Sequence, residues 1–137
     1  MTSPSDLIDT VETYLDGIHE CSTAKLNAVF HSASSLFDGD QGTIFAEPID
    51  SFVSDVGTRI SPASVGQKRE AEILMIDYLS KVNATVKIRI RAHKNIFVDH
   101  LCLVKGEAGW QIVAKIWHLE HVLEDVADPN VSYPRSG

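Results

Sequence analysis

An α+β fold, with helices gathered on one side of a curved antiparallel sheet, follows from three features of the sequence. Leu7, Ile8, Val11, Tyr14, Leu15 and Ile18 recur at helical spacing near the start of the chain. From Glu70 the period changes to strict alternation and holds through His118. Short turns join the alternating runs, so neighbouring strands pair as an antiparallel meander with one buried face and one wet face. Helices first and strands later is an α+β plan. A strongly bent sheet closed by helices forms a cone, and the open end of a cone is a natural ligand pocket.

Each element has its own warrant. Ser3 or Ser5 can cap a first helix, Pro4 suits its first turn, and Asp6 complements the positive end, so the helix is expected from Pro4 to Glu20. Ser22 caps a short second helix through Leu26, Val29 and Phe30, which breaks down near His31-Ser32. Ala33 to Asp38 reads as a strand, Gly39-Asp40-Gln41-Gly42 as a turn, and Thr43 to Ala46 as the second strand of a small hairpin. Pro48 opens a third helix with Ile49, Phe52, Val53 and Val56 inward and Gly57 near its end. Ile60 to Arg69, with Ser61-Pro62 and Gly66, carries no period and is expected to be a mobile flap. Strands are expected over Ala71 to Leu79 and Ala84 to His93, the latter with Ala84, Val86, Ile88, Ile90 and Ala92 inward and Thr85, Lys87, Arg89, Arg91 and His93 outward.

The chain is organised around its last two strands, Asn95 to Lys105 and Trp110 to His118, joined by Gly106-Glu107-Ala108-Gly109. In the first of them Phe97, Asp99, Leu101 and Leu103 share one face. A carboxylate among three large apolar side chains must be partnered, protonated or beside a wet cavity. Asp99 is therefore the leading candidate for function.

The 137 residues, 44% hydrophobic and 23% charged, suit one globular domain, here residues 1–121, with 122–137 as a short or disordered tail. A net charge of −7 argues against a nucleic-acid groove. No apolar run reaches the roughly 18 residues of a membrane span. Asp6, Asp9, Glu12 and Asp16 stand where a signal peptide needs basic and then apolar residues, so a cytoplasmic location is expected. Cys21 and Cys102 read as reduced thiols.

The order helix, helix, hairpin, helix, meander resembles the nuclear transport factor 2-like superfamily, the cystatin-like α+β cone, over Leu7 to His118. Tyr14-Leu15-Asp16-Gly17, Ala28-Val29-Phe30-His31, Asp99-His100-Leu101-Cys102-Leu103-Val104-Lys105 and Gly109-Trp110-Gln111-Ile112-Val113 resemble the subgroup labelled "putative lumazine-binding". Ketosteroid isomerases of the same superfamily use a first-helix tyrosine and a protonated late-strand aspartic acid as hydrogen-bond donors to an enolate. The resemblance places Tyr14 on that tyrosine and the Asp99-His100-Leu101 stretch on the segment holding that acid. It places Phe37 where the general base would stand, with Asp38 one residue on and facing the other way. It further implies Trp110, Ile112, Ala114, Ile116 and His118 on the concave face, and Val113, Lys115 and Trp117 on the convex one. It also implies a homodimer through the outer sheet face, where Val98, Cys102, Val113 and Trp117 lie beside a basic row whose cations must be interspersed with acids.

Two functions of different class are open to such a chain. In the first, a homodimeric cone binds a small apolar or aromatic molecule lined by Phe37, Phe97, Leu101, Trp110, Ile112, Ile116 and His118. Tyr14 and Asp99 polarise a carbonyl while His31, Asp38 or His118 takes a proton, giving cofactor-free isomerase, dehydratase or cyclase chemistry. In the second, Asp99 is a structural carboxylate paired to a cation from a neighbouring strand, side chains fill the cone, and the protein is a non-catalytic binding or association module. No metal or cofactor is expected: His118-Leu119-Glu120-His121 has helical ligand spacing but falls at a strand end, and the glycines lie in turns.

Overall fold

The computed structural model describes residues 4–130; Ser3, the side chains of Pro4 and Ser5, and residues 131–137 of the expected tail lie outside the described residues. Helix α1 spans Pro4–Glu20 and buries Leu7, Val11, Tyr14, Leu15 and Ile18, the stripe that helical spacing picks out. It ends with Cys21 at φ 52°, where the amides of Cys21 and Ser22 donate to the carbonyls of Ile18 and Gly17. That pair of bonds closes a helix end through one left-handed residue. Helix α2, Thr23–Val29, begins with the Ser22 hydroxyl accepting from the Lys25 amide at 3.2 Å. Gly17 lets α2 pack closely on α1, since a Cβ there would stand 2.9 Å from a Leu26 methyl.

Strand β1, Phe30–Asp38, follows α2 without a loop and starts earlier than expected. Strand β2 is Phe45–Pro48 and helix α3 is Ile49–Val56, with Ile49, Phe52, Val53 and Val56 buried. The meander is β3, Ala71–Ser80; β4, Asn83–Ala92; β5, Asn95–Gly106; and β6, Gly109–Val122. Gly109, at φ 95°, takes the left-handed conformation that closes the β5–β6 turn.

The sheet runs β2-β1-β6-β5-β4-β3. The meander pairs and the β1–β2 hairpin are antiparallel as expected, but β1 lies parallel to β6, so the sheet is mixed. A long excursion through β2, α3 and the first three meander strands separates β1 from β6, and a connection of that length permits parallel pairing. The three helices lie against the inner face. Across that face Phe45 pairs with Asp38, Trp117 with Asp99, and Asp99 with Ile88; the next rung joins Leu36, Lys115, Leu101 and Val86.

Two bulges set the phase of β6. Leu103 pairs with Ile112 and Cys102 with Ala114, leaving Val113 over; Phe97 pairs with Leu119 and Ile96 with His121, leaving Glu120 over. One extra residue exchanges the two faces of a strand from that point on. Ahead of Val113, Trp110 and Ile112 point inward as expected. Beyond it the assignment is reversed: Lys115 and Trp117 are buried while Ile116 and His118 are exposed, and Ala114 shares the outer rung of Cys102.

The 60–69 stretch is pinned rather than loose. It contains one 3₁₀ turn, Ala63–Val65. Gln67 clamps the β4–β5 turn by accepting from the His93 amide and donating to the His93 carbonyl. Arg69 forks onto α1, at 2.6 Å from Glu12 and 3.0 Å from Asp16. Beyond β6 the chain crosses the same end of the cone: the Leu123 amide donates to Lys94, and Asn130 both donates to the Ile60 carbonyl and accepts from the Ile60 amide.

Candidate functional site

The inward phase of β5 places Asp99 under α1, and the α1 stripe brings Tyr14 down onto it. The Tyr14 hydroxyl donates to Asp99 Oδ2 at 2.6 Å. Lys115 arrives from β6 on the diagonal rung, its Nζ 3.8 Å from the same oxygen. The ammonium is enclosed by aromatic rings, 4.6 Å from the centroid of Phe52, 5.3 Å from Tyr14 and 5.7 Å from Trp117. Asp99 Oδ1 is buried and accepts no hydrogen bond. Asp99, Tyr14 and Lys115 are each 0% exposed, so no space wide enough for a water touches any of the three.

Burial dominates the electrostatics of this cluster. Desolvation raises the Asp99 pKa, and the Lys115 charge and the Tyr14 and Lys115 hydrogen bonds only partly oppose it. Desolvation lowers the Lys115 pKa, with the Asp99 charge pulling the other way. Desolvation, then the charge and hydrogen bond of Asp99, holds Tyr14 well above the ordinary phenol value. The three groups are thus a buried acid, base and phenol in mutual contact, able to hold or exchange a proton among themselves. What they lack is an adjacent void where a substrate atom could stand.

The other sequence candidates are dispersed. Phe97, Leu101, Trp110 and Ile112 are buried on the inner face, and Phe97 also lines a cavity of about 30 Å³ at one end of the cone. Phe37 is half-buried on the outer rung opposite Ile116, so β1 also runs in the phase opposite to the expected one. Asp38 consequently lies on the inner face, 3% exposed, in the row of Trp117 and Asp99, and its Oδ1 accepts from the Asp40 amide. His31 is exposed at the start of β1, its Nδ1 accepting from the Ala33 amide, away from the cluster. His118 stands outside, bonded to Asp40 at 2.8 Å, and Asp40 also accepts from the Leu119 amide.

Sequence reasoning missed Lys115, the cation nearest Asp99, because the Val113 bulge moved it across the sheet. Its one signal was a lysine between Ala114 and Ile116-Trp117, in a run otherwise apolar. Cys21 and Cys102 are free thiols, one at the end of α1 and the other on the outer sheet face. Among the described residues no three His, Cys, Asp or Glu side chains are grouped to hold a metal ion, and no helix is long and apolar enough to cross a membrane.

Comparison with solved structures places the fold among known ones. An NTF-2 like protein of unknown function from Silicibacter pomeroyi superposes with a TM-score of 0.74 at 18% identity, over 84% of this chain and 93% of that one. An NTF2-like protein of unknown function from Shewanella baltica gives 0.75 at 21% identity, over 85% and 93%. A ketosteroid isomerase-like protein from Erwinia carotovora atroseptica gives 0.63 at 13% identity, over 85% and 95%. Identities this low establish the shape alone. No curated protein matches the chain. The profile of one family, described as "Putative lumazine-binding", matches residues 4–118, which takes in the helices, the sheet and the buried Tyr14, Asp99 and Lys115, and the chain belongs to that family.

Proposed function

We propose that the protein is a non-catalytic module that pairs with a second copy through the outer face of its sheet, its interior serving as a packed frame. The complete enclosure of Tyr14, Asp99 and Lys115 carries this reading, because a reaction at Asp99 needs room for a substrate that the packed side chains do not leave. The outer face has the opposite character. Ile116 is 53% exposed at mid-sheet, on one rung with Met75, Lys87, His100 and Phe37. The next rung carries Glu72, Arg89, Val98 and His118. Arg89 bonds to Glu72 at 2.9 Å and Glu120 at 2.8 Å, and Arg91 to Glu70 at 2.6 Å, so the basic row is already interleaved with acids. A face with an apolar centre and alternating charges can meet its own copy about a two-fold axis without like charges opposed.

Sedimentation velocity tests the reading. The wild type is expected to sediment as a dimer of the 15.1 kDa chain at micromolar concentration. Ile116→Lys, which puts an unpaired cation at the centre of the face, is expected to sediment as a monomer with an unchanged circular dichroism spectrum. A wild type that stays monomeric, or an Ile116→Lys variant that stays dimeric, would contradict it.

A further inference from the structure

The end of the cone that the 60–69 stretch and the C-terminal segment cover holds a cavity of about 30 Å³, room for water and for no organic molecule. Its wall is of two kinds. Ile18, Val56 and Phe97 make an apolar floor. Arg59, His93 and Asn95 bring polar groups to the same space, and His93 and Asn95 are 5% and 6% exposed. Into that space comes one carboxylate, from Asp128, which accepts from the Asn95 amide nitrogen at 3.2 Å. Asn130 lies beside it, on the Ile60 backbone at 2.7 and 3.0 Å and 3.4 Å from His93 Nε2.

We propose that this end of the cone is a carboxylate-binding site for a small, flat, apolar acid, and that Asp128 is its tethered occupant. Two groups of the polar half suit an anion: the Asn95 side-chain amide, which already donates to a carboxylate, and the Arg59 guanidinium, which is also paired with Asp55; the His93 Nε2 is taken by the Ile60 carbonyl. The apolar half would receive the body of the molecule. Leu123 to Asn130 is built to leave. None of its residues is fully buried, and its recorded fastenings are the Leu123 amide on Lys94, the Asp128–Asn95 bond and the Asn130 bonds, with the Asp128 carboxylate also accepting from the Asn130 amide. A tethered carboxylate has a high effective concentration, so an external acid binds only to the fraction of molecules in which the segment has lifted. The Tyr14–Asp99–Lys115 cluster takes no part, and the site is compatible with a dimer formed through the outer face.

Benzoate titration followed by NMR on three proteins tests this. Asp128→Asn removes the resident anion and keeps the shape; Asp128→Ala with Asn130→Ala also unfastens the segment. Both are expected to bind benzoate at least about tenfold more tightly than the wild type, as release of an occupant present most of the time requires, with shifts centred on His93, Asn95 and Phe97. Benzyl alcohol, which lacks the anion, is expected to show no such gain. Adding Asn95→Ala to Asp128→Asn is expected to cancel it. Equal benzoate affinity in all folded variants, or shifts centred elsewhere, would overturn the proposal.

Discussion

His118 illustrates how a single side chain can satisfy a sequence pattern and serve another purpose. It sits outside the cone and holds the β1–β2 turn to the end of β6 through Asp40. The Asp40 hydrogen bond raises its pKa above the ordinary 6.5, against slight desolvation and with added help from the charges of Asp40, Glu120 and Asp38. For Asp40, burial raises the carboxyl pKa, but the His118 and Leu119 bonds outweigh it and the net shift is downward. A histidine with a raised folded pKa contributes stability that is fully present below its unfolded value and is lost as pH rises through the folded one. Proton NMR is therefore expected to give His118 a midpoint above 6.5, and Asp40→Asn to bring it back toward 6.5. Asp99 and Tyr14 were legible at this scale because β5 alternates without interruption up to Cys102 and the α1 stripe is unambiguous. Lys115 was not legible, since its side depends on a neighbour's backbone and not on its own type.

At the scale of the element, most of the chain obeys its period. Helix α1 ends where spacing and capping place it, the Ser22 cap forms, and β4 separates Val86, Ile88 and Ile90 from Lys87, Arg89 and Arg91 as alternation requires. The departures in phase have two origins. Bulges in β3 and β6 each exchange the two faces of the strand beyond them, and neither carries a residue signature, since Val113 is an ordinary strand former. Such bulges bend the sheet around the helices, so the curvature that makes the cone also conceals the phase of its longest strand. Strand β1 keeps one phase throughout, with Phe30, Ser34, Leu36 and Asp38 buried, and there it was the resemblance that put Phe37 on the wrong face. Deleting Val113 alone would leave Ala114 opposite Cys102 and Lys115 opposite Leu101 in an unbroken ladder, but deleting Val113 and Ala114 together would put Lys115 opposite Cys102, turn Lys115 and Trp117 to the outer face and drive Ile116 and His118 inward beneath the helices. The expected result of the double deletion is a protein that fails to fold cooperatively in urea, whereas a Val113→Ala protein, which keeps both residues, loses only about 1 kcal/mol. A double deletion that unfolds like the wild type would show that the phase of β6 beyond Ile112 does not hold the fold together. The 60–69 stretch departs from its expected looseness for another reason: Gln67 and Arg69 find their partners on β4–β5 and α1, and no local pattern announces contacts so distant in sequence.

For the molecule as a whole, the fold was legible from the change of period and the resemblance, and the purpose of its interior was not. Whether an inward acid such as Asp99 meets a substrate or a lysine is decided by what the other strands bring to it. Here β6 brings Lys115 to within 3.8 Å of Asp99, and the rings of Phe52 and Trp117 flank its ammonium at 4.6 and 5.7 Å. Breaking a buried pair on one side costs about 3–5 kcal/mol, while replacing both partners by well-fitting neutral groups is close to neutral. Lys115→Met keeps a flexible apolar stem among the rings, and Asp99→Asn keeps an acceptor for the Tyr14 hydroxyl. Asp99 has a raised pKa, so the stability tied to its proton is present at low pH and lost as pH rises through the folded value. Lys115→Met alone should therefore cost more at pH 8 than at pH 5.

The most direct test is the urea unfolding free energy of Asp99→Asn, Lys115→Met and the double variant at pH 7. A packed frame predicts single variants weakened by about 3 kcal/mol and a double variant that recovers most of that loss and remains dimeric. Losses that simply add, leaving the double variant the least stable of the three, would contradict the claim that Asp99 and Lys115 exist for each other.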